Sequence, residues 1–138
     1  MAVNMLPTTG NDLDLIEFEV EQQPSLTYRL DVEKNRVRGM TDGVDAVRQA
    51  VYLILNTERY AYSIYSWNYG VELVDLIGRP ADYIMSESKR RITEALEQDD
   101  RIKNVDNWRF ETSRKSVKVA FTVHTIFGDI ESTKEVNM

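Results

Sequence analysis

The chain has 138 residues, which is enough for one compact domain and too few for two full ones. Apolar residues make up 42% and charged residues 29%, a composition typical of a globular protein and not of a disordered or membrane chain. The net charge of -6 argues against a nucleic-acid partner, because binding to phosphates needs a concentrated positive surface. The absence of cysteine excludes disulfides, thiolate nucleophiles and zinc–thiolate sites.

Residues 1–25 are predicted to form an acidic extension that is partly flexible. No Lys or Arg occurs before Arg29, and the negative charges of this segment lie at Asp12, Asp14, Glu17, Glu19 and Glu21. Ile16, Phe18 and Val20 alternate with glutamates, which is the pattern of a strand with one wet face, and we expect this strand to become ordered only on docking. The chain contains neither an apolar run of membrane-spanning length nor a signal-peptide pattern, so no membrane partner is expected.

Residues 26–138 are predicted to form a single α+β domain that begins with a β-hairpin. Two short strands, 26–32 and 36–40, flank a turn at 33–35. A helix over about 42–55 follows, capped by Thr41 or Asp42. Its apolar stripe repeats at steps of three and four residues and consists of Val44, Val47, Val51, Ile54 and Leu55. Arg48 and Gln49 of this helix are expected to face water.

The middle of the chain predicts two further helices. A short helix over 71–77 lies between Gly70 and the breakers Gly78 and Pro80, and a longer one covers about 81–98. The buried stripe of the longer helix is predicted to be Ile84, Ile92, Ala95 and Leu96.

The last part of the chain returns to strand patterns. Segments 102–105 and 108–113 read as strands, and 116–136 as a hairpin that turns at Gly128 and Asp129. In the first strand of that hairpin the core-facing residues are predicted to be Val117, Val119, Phe121 and Val123. The order of strands, helices and strands favours an α+β fold with one mixed or antiparallel sheet over a doubly wound parallel sheet.

Motifs for catalysis are nearly absent. His124 is the only histidine, lies within a predicted strand and has no Gly-x-Ser-x-Gly nucleophile elbow to serve, so we expect a structural, hydrogen-bonded residue. Metal-ligand spacing and glycine-rich phosphate loops do not occur, so no metal or cofactor is expected. A carboxylate pair such as Glu58 and Asp75 leaves open the alternative of a peptidoglycan glycosidase with an acid and a base.

The stretch 60–69 carries the strongest functional signal because it contains five aromatic residues without a helical period. These are Tyr60, Tyr62, Tyr65, Trp67 and Tyr69. Any one of these rings has core filling as its simplest explanation. Five rings beside Glu58 and Arg59 exceed what a small core usually accommodates, and Tyr, Trp and Arg dominate the hot spots of protein interfaces. The segment therefore predicts a protein-binding surface made of Glu58, Arg59, Tyr60, Tyr65, Trp67, Tyr69 and Gly70.

Several long motifs carry a family resemblance over about 26–130. The segments "ILNTERYAYSIYSWNYGVEL", "GRP", "KRRITEALEQDDRIKNVDNW" and "VAFTVHTIFGD" resemble the Bacillus-type defective-prophage baseplate proteins of the xkd operon. These are similar to the baseplate wedge protein of contractile tails, also called the sheath initiator and loosely labelled "lysozyme-like". In the broader family a helix leads into a Thr-x-x-Gly-Glu-Arg type turn followed by an aromatic residue and glycine. The matching residues here are Thr57, Glu58, Arg59, Tyr69 and Gly70, whereas the glycine before Glu-Arg is missing.

The resemblance implies a structural protein with no catalytic residue. Its members are expected to form a six-fold ring around the tail tube, to bind other wedge proteins and to offer a sheet edge to the first ring of sheath subunits. Assembly is expected in the host bacterial cytoplasm, followed by incorporation into the tail baseplate of a virion or prophage particle. The glycosidase and a small cytosolic adaptor remain as alternatives, and the oligomeric state in solution stays open.

Overall fold

The computed structural model describes residues 24–138, so the predicted acidic extension and the strand predicted over 16–20 lie outside the described residues. The elements follow the predicted order, with α-helices α1 and α2 between a first pair and a last group of strands. They are β1 (Thr27–Asp31), β2 (Arg36–Thr41), α1 (Gly43–Leu55), a 3₁₀ turn (Val74–Leu76), α2 (Ala81–Leu96), β3 (Ile102–Thr112), β4 (Ser116–Thr125) and β5 (Gly128–Asn137). The predicted α+β class is confirmed.

The prediction of one sheet is wrong, because the strands form two separate antiparallel sheets. β1 and β2 make a two-stranded ribbon, while β3, β4 and β5 make a three-stranded sheet in that order. Gln49 of α1 gives the physical reason at one edge of the ribbon. Its Oε1 accepts a hydrogen bond from the N–H of Leu30 (2.9 Å), and its Nε2 donates one to the carbonyl of Tyr28 (2.7 Å). The side chain expected to face water therefore occupies main-chain groups of β1 that a third strand would need.

Two predicted boundaries in the last part of the chain differ from the strands of the three-stranded sheet. Segments 102–105 and 108–113 belong to one strand, β3, whose register with β4 shifts between Asp106 and Arg109. Asn107 has a positive φ of 54° at this bulge, which interrupts the alternation of side chains. The last hairpin turns at Ile126 and Phe127, because Thr125 pairs directly with Gly128. The hydroxyl of Thr125 donates to the Gly128 carbonyl (2.6 Å) and accepts from the Phe127 N–H (3.1 Å), which holds this turn.

The core lies between the two helices and one face of the three-stranded sheet. The predicted stripes are confirmed in both helices, with Val44 only partly buried. The predicted inward face of β4 is also confirmed: Val117, Val119, Phe121 and Val123 are each 0% exposed. Asp42 caps α1 by accepting a hydrogen bond from the N–H of Gly43 at 2.7 Å. The buried cluster draws its members from α1, residues 71–76, α2 and the three strands, and the β1–β2 ribbon projects beside it.

The predicted helix over 71–77 is reduced to the 3₁₀ turn Val74–Leu76. Gly78 adopts a positive φ of 85° just after it, which stops any helical continuation before Pro80. Leu73 and Leu76 of this segment are buried and pack into the core, whereas Val74 and Ile77 remain exposed. The segment thus carries the chain from the aromatic stretch to α2 while leaving two apolar side chains at the surface.

Candidate protein-binding surfaces

The aromatic stretch 60–69, hereafter the aromatic loop, is closed at its base by hydrogen bonds between residues 57–59 and 70–73. Glu58 and Val71 form a parallel β-bridge. The N–H of Val71 donates to the Thr57 carbonyl (3.0 Å), and the N–H of Arg59 donates to the Val71 carbonyl (3.3 Å). The two ends of the loop are therefore held together by main-chain bonds.

Side chains reinforce this base. The Glu58 carboxylate accepts hydrogen bonds from the N–H groups of Leu73 (3.2 Å) and Val74 (3.3 Å), which satisfies donors at the start of the 3₁₀ turn. The Arg59 guanidinium donates to the Gly70 carbonyl (3.3 Å) and forms an ion pair with Glu94 of α2 at 3.4 Å. These contacts fix the loop against α2 and the core.

Gly70 is required at this junction. Its φ is +91°, and a Cβ built there would lie 2.6 Å from the carbonyl oxygen of Thr57. Any side chain would thus displace the two main-chain segments that close the loop.

Four of the five rings of the aromatic loop project into solvent. Trp67 is 81% exposed and Tyr60 64% exposed, and their rings meet edge to face with centroids 6.5 Å apart. Tyr62 and Tyr65 form a second edge-to-face pair at 6.1 Å. Tyr69 instead packs against the core and stacks on Tyr65 at 4.6 Å. Burial is the main cause that raises the pKa of Tyr69.

The predicted contact residues therefore divide into two groups. Tyr60, Tyr65 and Trp67 point outward, where a partner can reach them. The other four are turned toward this chain: Glu58, Arg59 and Gly70 build the base of the loop and Tyr69 anchors it. The spacing of these residues in the sequence does not reveal which of them face outward. A glycine directly after a run of rings, as at Gly70, does indicate a close approach of the backbone.

The outer edge of β5 is a second exposed feature. β5 pairs with β4 along its whole length without a register shift. The N–H of Met138 donates to the Lys115 carbonyl (2.7 Å), and bonded and unbonded pairs alternate along an antiparallel ladder. The main-chain groups of the even-numbered residues of β5 therefore point to β4, while those of the odd-numbered residues point away from it. The outward set is Asp129, Glu131, Thr133, Glu135 and Asn137.

An open groove of about 250 Å³ runs beside this edge on the core side of the sheet. Its apolar lining comes from α1, the 3₁₀ region and β5, namely Leu55, Leu73, Val74, Ile77 and Val136. Lys134 lies in the same groove, and its Nζ is 3.4 Å from the side-chain oxygen of Asn56 at the end of α1. Among residues 24–138, the outer edge of β5 has no neighbouring strand, and it lies next to this largely apolar groove.

The opposite, solvent-facing side of the sheet holds His124 between two carboxylates. Its Nδ1 is 2.6 Å from Asp129 at the start of β5, and its Nε2 is 2.6 Å from Asp106 at the bulge of β3. The expected structural role of this histidine agrees with a position that ties all three strands together. Hydrogen bonds to Asp129 and then to Asp106 raise the pKa of His124.

We predict that this histidine makes stability depend on pH. Because its pKa is raised in the folded chain, its stabilising effect is complete below the pKa of the unfolded chain and is lost as pH rises through the folded value. In urea unfolding over a range of pH, the advantage of the natural chain over His124→Gln should therefore be largest below about 6.5, the pKa of an unfolded histidine, and should shrink as the pH rises above it. An advantage that stays constant over this range would contradict the assignment.

Both carboxylates of the predicted glycosidase pair are engaged by other groups of the chain. Glu58 is bonded to the main chain of residues 73–74, and Asp75 forms an ion pair with Arg91 of α2. The hydrogen bond from Arg91 is the main cause that lowers the pKa of Asp75, so this carboxyl is stabilised in its charged form. Within residues 24–138, no group of three histidine or acidic side chains is arranged to hold a metal ion. In the same part of the chain, every helix is too short or too polar to cross a bilayer.

Comparison with known proteins identifies the class to which this fold and these surfaces belong. Residues 26–128 match the contractile injection system sheath initiator family, and the chain belongs to that family. It is similar to the phage-like element PBSX protein XkdS of Bacillus subtilis (strain 168), with 40% identity over 127 residues, covering 87% of this chain and 90% of the relative.

Family membership confirms the main functional expectations. The protein is a sheath initiator, a structural component of a phage-like contractile tail, and it interacts with sheath and baseplate proteins. The expectation that it is not an enzyme is confirmed, and the glycosidase alternative is wrong, because this family is structural. Membership also favours the tail protein over the cytosolic adaptor.

Proposed function

We propose that this sheath initiator uses two separate surfaces, the aromatic loop for the baseplate and the outer edge of β5 for the sheath. The main observation in support of this proposal is the continuous outer edge of β5, which lies beside an apolar groove. The odd-numbered residues of β5 direct their main-chain groups away from β4. An extended segment that adds to such an edge gains main-chain hydrogen bonds, while neighbouring pockets select its side chains.

The edge of β1 is less suited to strand addition than the edge of β5. On β1, the Gln49 amide already bonds to main-chain groups of Tyr28 and Leu30. Strand addition there would first have to break two good hydrogen bonds. At β5, by contrast, no side chain among residues 24–138 bonds to the outward main-chain groups of the odd-numbered residues.

The aromatic loop is suited to the baseplate contact. Its rings are large, have few rotatable bonds and retain polar tips, so that a partner orders them at low entropic cost. The main-chain bridge at Glu58 and Val71 and the Arg59–Glu94 pair hold the loop before a partner arrives. Preorganisation of this kind strengthens binding by lowering the cost of ordering.

In the assembled tail, copies of this protein form a six-fold ring around the tube and bind neighbouring wedge proteins, after assembly in the bacterial cytoplasm. A ring multiplies contacts that are weak one at a time, because each copy raises the effective concentration of the next strand acceptor. Family membership supports this arrangement.

Replacing Thr133 with Pro tests strand addition. Proline removes the N–H of an edge residue whose main-chain groups point away from β4, so the internal ladder keeps its bonds. We expect about a tenfold fall in sheath-bearing particles when the variant is assembled with sheath subunits and baseplates, because the new ladder loses a hydrogen bond and meets the proline ring.

Thr133→Ala is the matched control, since it removes the same side chain and keeps the N–H. Electron microscopy counts sheathed tails for both variants, and urea unfolding establishes that both remain folded. Normal sheath formation on a folded Thr133→Pro protein would refute strand addition at β5.

A further inference from the structure

We infer that the strand accepted at β5 is basic on its solvent-facing side and apolar on its core-facing side. The inference rests on the proposed strand addition and specifies the chemistry of the partner segment. It follows from the two different rows of side chains that β5 presents along its free edge.

The solvent-facing row of β5 is acidic. Asp129, Glu131 and Glu135 lie on this side at odd-numbered positions, together with Thr133. The side chains of Glu131 and Asp129 are 75% and 65% exposed. An added strand places its own side chains about 5 Å from this row, where opposite charges stabilise pairing and like charges oppose it.

The groups that offset the negative charge of this row lie on its inner flank, on the side of β3 and β4. Lys118 lies directly opposite Glu135, Arg109 approaches Glu131 at 3.9 Å, and His124 bonds Asp129. All three groups come from β3 or β4. The hydroxyl of Ser116, also on β4, donates to Glu135 at 2.6 Å. The outer flank of the acidic row is the one that a new strand would cover.

The core-facing row of β5 ends, at Lys134 and Val136, in a groove whose lining is apolar around Val136. Val136 is 3% exposed and lies in the groove with Leu73 and with Ile77, which is 54% exposed. An apolar side chain of the incoming strand beside Val136 would cover this surface and gain roughly 25 cal/mol for each Å² removed from water.

The same acidic row discourages pairing between two copies of this chain. Antiparallel contact of two β5 edges would bring carboxylates face to face in a protein whose net charge is already -6. A basic strand would instead be attracted to these carboxylates. The edge is thus able to remain open without self-association and still select its partner.

Two short synthetic peptides test the inference, one alternating Lys and Val and the other alternating Glu and Val. Each is titrated into the full chain while the amide resonances of β5 are followed by NMR. We expect the Lys peptide to bind about tenfold more tightly than the Glu peptide at low salt, with the difference reduced at high salt by screening.

Two variants of the chain test which groups of β5 determine the binding of the peptides. Glu131→Lys should reduce or reverse the preference, whereas Thr133→Pro should weaken both peptides by removing a ladder group. Equal affinity of the two peptides for the natural chain would overturn the charge preference and leave strand addition standing. Binding unaffected by Thr133→Pro, or no response of β5 to either peptide, would overturn the inference together with strand addition at this edge.

Discussion

Replacing Gly70 with Ala should lower the free energy of unfolding by about 3 kcal/mol or more, because backbone strain and a steric clash act together. The residue has a φ of +91°, and the added Cβ would lie 2.6 Å from the Thr57 carbonyl oxygen and 3.1 Å from the Arg59 nitrogen. That carbonyl accepts the bond from Val71 at 3.0 Å, so the backbone cannot move aside without opening the base of the aromatic loop.

Gly78→Ala is the matched control for this prediction. Gly78 has a φ of +85°, but nothing lies within 4 Å of a Cβ at that position. Only the left-handed conformation is penalised there, at about 1 kcal/mol. Urea unfolding of both variants measures the difference, and equal losses would show that the close approach at Gly70 has no energetic weight.

Replacing Tyr60 and Trp67 together with Ala should abolish incorporation into baseplates and leave the fold intact. Both side chains are mostly exposed and contact each other, so their removal costs the isolated chain little. If both are interface hot spots, each is worth about 2 kcal/mol or more in binding, and their joint removal lowers the affinity by roughly a thousandfold when the two losses add.

Tyr28→Ala provides the control for that double variant. Tyr28 is 68% exposed on the β1–β2 ribbon and lies outside the aromatic loop. Co-purification of each variant with baseplate proteins gives the measurement. Incorporation of a folded double variant at the natural level, or an equal loss in Tyr28→Ala, would remove the specific role of the loop.

Local patterns predicted α1, α2 and the central strand β4 well, because each of these elements buries one regular face. The apolar spacing of α1 and α2 and the alternation in β4 all report on a single core. The failures have non-local causes. Nothing in the spacing of Gln49 indicates that its amide bonds to β1, which lies about twenty residues earlier. The bulge at Asn107 made one strand read as two separate patterns in the sequence. The contact at this bulge is also non-local, since the side chain of Asn107 bonds Thr122 of β4 at 3.3 Å.

Prediction of the candidate surfaces from the sequence is limited by non-local contacts in the same way. Composition predicted the aromatic loop, because a cluster of rings stands out in any sequence. It did not separate the outward Trp67 from the inward Tyr69, since that difference depends on how Glu58 bridges to Val71. The domain boundary near residue 26 and the ordering of the strand over 16–20 on docking stay predictions.

Amide hydrogen exchange on β5, compared between the free protein and assembled sheathed tails, tests the central claim most directly. The account predicts that the N–H groups of Glu131, Thr133 and Glu135 exchange quickly in the free protein and become protected on sheath addition. Protection of the aromatic loop alone, with these three amides still exchanging quickly in sheathed tails, would contradict it.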